Sequence, residues 1–243
     1  MRFLHGATYR GKPVGTIGHF GAFSTMSGKH HATGAQGGVV FTRNRQAAGR
    51  VRRYSDRGKP FGLKRSRGNV VASLNFNLND LAACIGRVQL RKLPAIIRKR
   101  REAARWLIAA SREAFSAVRI LDGLPRTEPV YWFLMGQLDL SKLRVDKAEF
   151  VRALAAEGVP CDESYRHLFS EQDWYVNREV FTGTDYPWGS PLYKGDPARE
   201  YPTPNVYETD ARTFKIQWHE NCCMGTARRL LAALKKVERA FMG

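Results

Sequence analysis

The chain has 243 residues, 40 of them Lys or Arg against 22 Asp or Glu, for a formal net charge of +18, and 43% of its residues are hydrophobic. That composition excludes a disordered chain and is enough for one large domain or two small ones with a real core. No apolar run is long enough to cross a bilayer, residues 1–6 hold no secretory leader, and four cysteines do not make a disulfide framework, so the reducing cytoplasm is expected. A field of this sign attracts polyanions. No zinc-finger, RRM or homeodomain pattern accompanies it, so a solvated basic surface is expected, with neither nucleic acid nor membrane as partner.

Residues 19–24 read as a strand, a polar loop follows over 25–36, Gly37-Gly38 breaks the chain, and residues 39–42 read as a second strand. Residues 45–70 are basic and turn-rich, with Asp56-Arg57-Gly58-Lys59-Pro60 a turn. From Asn79 the pattern becomes helical: Asn79 or Asn77 caps it, Asp80 suits its first turn, and Leu81, Ile85, Val88 and Leu93 recur at helical spacing. Pro94 should kink or divide this helix, and a second helical stretch follows over 95–115. Its Arg98, Lys99, Arg100, Arg101 and Arg105 read as a solvated face. After Pro125 the character is α+β: a strand over 131–140, an amphipathic helix over 146–157 stopped by Gly158, ordered loops over 168–205 and a strand over 214–218. A final helix over 226–241 turns Leu230, Leu231, Leu234 and Val237 inward. The junction between two domains is expected within residues 94–115.

Three blocks carry chemistry. The first is His5-Gly6-Ala7-Thr8-Tyr9-Arg10-Gly11-Lys12-Pro13-Val14-Gly15. The second is Gly21-Ala22-Phe23-Ser24-Thr25-Met26-Ser27-Gly28-Lys29, closing in Gly34-Ala35-Gln36-Gly37-Gly38. The third is Leu74-Asn75-Phe76-Asn77-Leu78-Asn79-Asp80-Leu81, continuing to Ile85-Gly86 and Gln89-Leu90. In order and spacing these resemble the HGA-x-Y-x-G-x-x-VG, FS-x4-K…TG-x-GG and YN-[YF]-R-[ML] segments of the DegT/StrS sugar aminotransferases, which use pyridoxal 5'-phosphate (PLP). The resemblance implies an α/β chain: part of a PLP-transferase large domain of fold type I, aspartate aminotransferase-like, over residues 1–100, and a small C-terminal α+β domain over 101–243.

By that resemblance Lys29 is the catalytic Schiff-base lysine and Ser24 places a hydroxyl on the cofactor phosphate. Asn75 reaches the phosphate of the neighbouring subunit, which implies a homodimer with shared sites. A Schiff-base lysine must be neutral part of the time, and a loop between two buried strands is expected to supply the burial that this requires. Gly37 and Gly38 are expected to turn the chain tightly into the second strand. Tyr165, Arg166 and His167 correspond to a segment that approaches the substrate, where an arginine suits a carboxylate or a phosphate. His30 and His31 read as part of a polar loop, and no metal is expected: His219 with the adjacent Cys222 and Cys223 is a poor tetrahedral set.

The implied reaction moves an amino group from glutamate or glutamine to a keto-sugar, nucleotide-linked, or to a similar cyclic ketone. The resemblance leaves roughly two-fifths of a full-length enzyme unmatched, the part that cradles the phosphate and supplies the aspartate for the ring nitrogen. That aspartate is expected just before Met1, so the chain reads as incomplete. Two rivals stand beside this reading. One is a PLP-dependent sugar dehydratase of the same family, in which histidine replaces the lysine. The other is a basic, non-catalytic binding protein derived from a truncated enzyme.

Overall fold

The computed structural model describes residues 5–164 and 167–243. The chain divides into two compact units, one of residues 1–114, 120–134 and 217–232, the other of 115–119, 135–216 and 233–243.

In the first unit, β1 (Thr8–Tyr9) pairs antiparallel with β2 (Lys12–Pro13) and with β6 (Thr127–Glu128). β3 (Phe20–Ser24) and β4 (Gly38–Thr42) form an antiparallel hairpin in which Ser24 faces Gly38. The hairpin is exposed rather than buried: Phe20 is 55% accessible and Val40 52%. What cover it has lies at Phe23, whose ring stands 4.8 Å from that of His5, centroid to centroid.

Helix α1 (Arg45–Ser55) occupies part of the stretch read as turns. Asn44 caps it by accepting from the Ala47 N–H at 3.0 Å. None of its residues is buried.

Helix α2 (Asp80–Ala114) runs unbroken for 35 residues. Asn79 is its cap, accepting from the Ala82 N–H at 2.8 Å. Pro94 does not divide it. Leu93 and Ile97 on either side are held in a buried cluster with Val130, and this packing offsets the one ladder bond that proline removes. The buried stripe continues through Ala104, Leu107, Ile108 and Ser111. In the first turns the stripe is Ala82 and Gly86, and the larger Leu81 lies 73% exposed.

The second unit carries most of a four-stranded sheet in the order β5 (Val118–Ile120), β7 (Phe133–Leu138), β9 (Thr213–Gln217), β8 (Cys161–Asp162). β7 alternates half-buried and buried side chains along its whole length, the period-2 pattern of a strand with one covered face. Helix α3 (Lys147–Ala156), capped by Asp146 through the Glu149 N–H, buries Phe150, Val151 and Leu154. The Phe150 and Phe214 rings lie 6.1 Å apart, centroid to centroid, and both side chains are fully buried. Gly136 lies beneath Phe214: a Cβ there would sit 2.2 Å from its ring.

Residues 168–205 hold the short helix α4 (Asp173–Val176) among turns, and α5 (Pro204–Arg212) leads into β9. Helix α6 (Met224–Phe241) closes the chain. Its buried Glu238 accepts through Oε1 from three successive backbone N–H groups, Ser116, Ala117 and Val118, at 3.0, 2.6 and 3.2 Å. One carboxylate thus satisfies the donors that lead into β5.

Candidate functional site

Lys29 lies in the loop between β3 and β4. Backbone bonds close that loop: Thr25 N–H to Gly37 O at 2.9 Å, Ser27 N–H to Ala35 O at 2.8 Å, and Thr33 N–H to Thr25 O at 2.9 Å. The Thr25 and Thr33 hydroxyls meet at 3.1 Å. They explain Gly37: a Cβ there would fall 2.5 Å from both oxygens, so the glycine is required by close approach. Within the same loop Gly34 takes the left-handed conformation, at φ +89°.

The strands flanking this loop are largely exposed, yet the loop buries Thr25, residues 29–31 and Thr33, which corrects the expected source of its burial. Lys29, His30 and His31 are 8%, 4% and 8% accessible. α2 supplies part of the cover, since His31 Nε2 hydrogen-bonds Gly86 O at 3.0 Å. His5, its ring 4.9 Å from that of His31, and the segment after β6 add to it. The Trp132 indole faces Lys29 with Nζ 3.4 Å from the ring centroid, and its Nε1 donates to Gly28 O at 3.1 Å.

Tyr131, just before it, has a φ of +47°, a left-handed backbone that a bulky side chain adopts at a cost of about 1–3 kcal/mol. Two contacts hold it there. The Tyr131 hydroxyl donates to Asp122 at 3.0 Å, and the Tyr131 carbonyl accepts from Arg100 Nη1 at 3.1 Å. Burial, then the Asp122 contact, pushes the Tyr131 hydroxyl up to about 12. Arg100 also donates to Trp218 O at 2.7 Å and to Glu220 at 2.8 Å. The Arg100 carbonyl in turn accepts from Trp218 Nε1 at 3.1 Å. Arg100, expected on a solvated face, is instead buried, a correction that follows from these bonds to Tyr131, Trp218 and Glu220.

Electrostatically the site disfavours a charged imidazole. His30 titrates at about 4, because burial and the positive field of Arg100 outweigh Glu220. His5 is lowered too, first by burial and then by His31, whose ring lies 4.9 Å away. Both His30 ring nitrogens are buried with no hydrogen-bond partner among the described residues.

Ser24 shares the hairpin with Lys29 and ends β3 half-buried, with Oγ accepting from the Met26 N–H at 3.4 Å. Asn75 lies apart from that loop in an exposed stretch, bridged to Asp56, with Oδ1 accepting from the Asn77 N–H at 3.2 Å. Tyr165 and Arg166 lie outside the described residues; His167 is exposed in the second unit. Among the described residues no cluster of three His, Cys, Asp or Glu could hold a metal ion, and no helix is long and apolar enough to cross a membrane. The sequence reading gave Trp132 and Tyr131 no role at the site and placed Arg100 on a solvated face. The one visible signal was the aromatic run Tyr131-Trp132-Phe133, which also suits a plain strand.

Comparison with known proteins places this geometry. The profile of the DegT/DnrJ/EryC1/StrS aminotransferase family matches residues 4–194. The GDP-4-keto-6-deoxy-D-mannose 3-dehydratase of Yersinia pseudotuberculosis is 28% identical over 196 residues, 74% of this chain and 47% of that protein. The GDP-perosamine synthase of Escherichia coli O157:H7 is 31% identical over 99 residues, 41% of this chain and 26% of its own length. Among solved structures, the Helicobacter pylori aminotransferase PseC superposes with a TM-score of 0.77 at 16% identity, covering 99% of this chain and 59% of PseC. The aminotransferase from Psychrobacter cryohalolentis gives 0.74 at 22% identity, over 97% and 60%. The chain spans about half the length, 42% and 47%, of the first curated relatives it matches. With the fold type I architecture of its structural neighbours and a family profile matching over most of its length, the chain belongs to the DegT/DnrJ/EryC1/StrS aminotransferase family.

Proposed function

We propose that this chain is part of an enzyme that transfers an amino group from glutamate or glutamine to a keto-sugar, nucleotide-linked, or to a similar cyclic ketone. Pyridoxal phosphate is the cofactor that its family membership implies. The observation that carries the reading is the burial of the Lys29 amine in a closed polar loop. The donor set fits the cofactor: an amine at Lys29, a hydroxyl at Ser24, and at His30 two buried ring nitrogens of the kind a bound polar group satisfies.

Pyridoxal phosphate, when bound, supplies an aldehyde carbon for the amino group and a ring that spreads negative charge. Lys29 Nζ would hold it covalently, and as a freed amine would take the proton from the donor Cα and return it later in the cycle. The Ser24 hydroxyl would donate to the phosphate. Asn75, exposed on this chain, would donate to the phosphate of a second subunit, which makes the working form a homodimer. Tyr165, Arg166 and His167 would meet the substrates, Arg166 gripping a carboxylate or phosphate. In this reading residues 1–100 belong to the large domain and 101–243 to the small one. Four free cysteines support a cytoplasmic setting.

The test is to supply the protein with pyridoxal phosphate, 15N-glutamate and a nucleotide-linked keto-sugar. An amino-sugar bearing 15N is the expected product, lost in Lys29→Ala. A second reading has its own observation: the relative matched over 74% of this chain is a 3-dehydratase. A deoxygenated keto-sugar without 15N would establish that reading instead.

A further inference from the structure

We propose that Trp132 is a positioning residue for Lys29, its indole face serving as the resting seat of the amine; this rests on the role proposed for Lys29. Three observations converge on it. The Nζ stands 3.4 Å from the ring centroid, a close approach for an ammonium on an aromatic face. The ring is fixed to the loop that it covers, because Nε1 donates to the carbonyl of Gly28, the residue before Lys29, at 3.1 Å. Amine and indole are therefore held in register by one residue of backbone. Finally, the backbone that delivers the ring is strained, with Tyr131 at φ +47° and held from both ends by Arg100 and Asp122. A bulky residue keeps such a conformation where the surroundings over-determine it, and here the outcome is to turn the next side chain over Lys29.

An aromatic seat does two things for a working lysine. It steadies the charged form of the amine through the ring face. It also keeps the long side chain in one place, so that the amine meets an incoming aldehyde from a fixed position. Arg100 acts one step further back, through the Tyr131 carbonyl.

Reductive methylation with 13C-formaldehyde keeps the lysine charge and gives each lysine an NMR signal. The Lys29 signal, assigned by its loss in Lys29→Arg, is expected upfield of the other lysines because it lies in the shielding cone of the indole. In Trp132→Leu it should join them, and in Trp132→Phe, which keeps an aromatic face, it should stay partly shifted. Trace acetylation of the unmodified protein should label Lys29 roughly tenfold faster in Trp132→Leu than in wild type. A wild-type signal among the ordinary lysines overturns the proposal without reference to any variant, as does unchanged labelling in a folded Trp132→Leu. If the shift is present but borohydride leaves no pyridoxyl group on Lys29, the seat stands and the proposed function falls.

Discussion

The two units spend their apolar residues differently. In the second, Phe150, Leu154 and Phe214 are fully buried, around a sheet and two helices that close on one another. In the first, Phe20, Val39 and Val40 on the hairpin, and Leu74, Phe76 and Leu81 beside Asn75, are exposed, while the polar residues Thr25, Lys29, His30 and Thr33 are buried. A core of apolar groups is held by area removed from water; a buried polar loop is held by hydrogen bonds that must all be made. Both units hold an apolar core, since Leu107, Ile108 and Val130 are buried in the first. What sets the first apart is that buried polar groups, Lys29 and His30 among them, stand beside that core.

The largest effect should come from the apolar core. Phe150→Ala empties a fully buried position and should cost about 3–5 kcal/mol in urea unfolding. A loss under about 1 kcal/mol would show that this core is not the seat of stability.

The buried loop should announce itself through pH. His30 is lowered to about 4 in the folded state, below the ordinary histidine value near 6.5. The unfolded chain therefore takes up a proton first as pH falls. The stability that His30 contributes is full above about 6.5 and is lost between about 6.5 and 4, by about 3 kcal/mol. Stability against pH for wild type and His30→Gln should differ in slope in that window, and parallel curves would place His30 in solvent.

Glu238→Gln keeps the shape of the carboxylate but removes its charge from three backbone N–H groups, and should cost about 1.5–3 kcal/mol. The smallest effect belongs to the exposed face: Phe76→Ser should change stability by less than about 0.5 kcal/mol. A large loss there would mean that Phe76 is covered in solution.

Both units were legible in part: the hairpin strands of the first lie within one residue of their expected bounds, whereas β5, β8 and α5 of the second were not expected. The helix over 146–157, the strand over 214–218 and the last helix all appear within a few residues of where their patterns place them. α1 fell in a stretch read as basic and turn-rich, since Arg45, Arg50, Arg52 and Arg53 dominate its composition. Of the site, the Ser24–Lys29 spacing stood in the sequence because one loop holds both. Its lid did not, since Trp132 lies 103 positions beyond Lys29 and is brought there by a left-handed residue that no local pattern marks. Arg100 looked like one more surface charge because only the fold supplies its carbonyl partners, Tyr131 and Trp218.

The central claim is that Lys29 is the residue that holds pyridoxal phosphate. Borohydride reduction of the protein with pyridoxal phosphate, followed by peptide mapping, tests it most directly. The account predicts a pyridoxyl group on the Lys29 peptide, absent in Lys29→Ala. A pyridoxyl group on another lysine, with Lys29 unmodified, would contradict it.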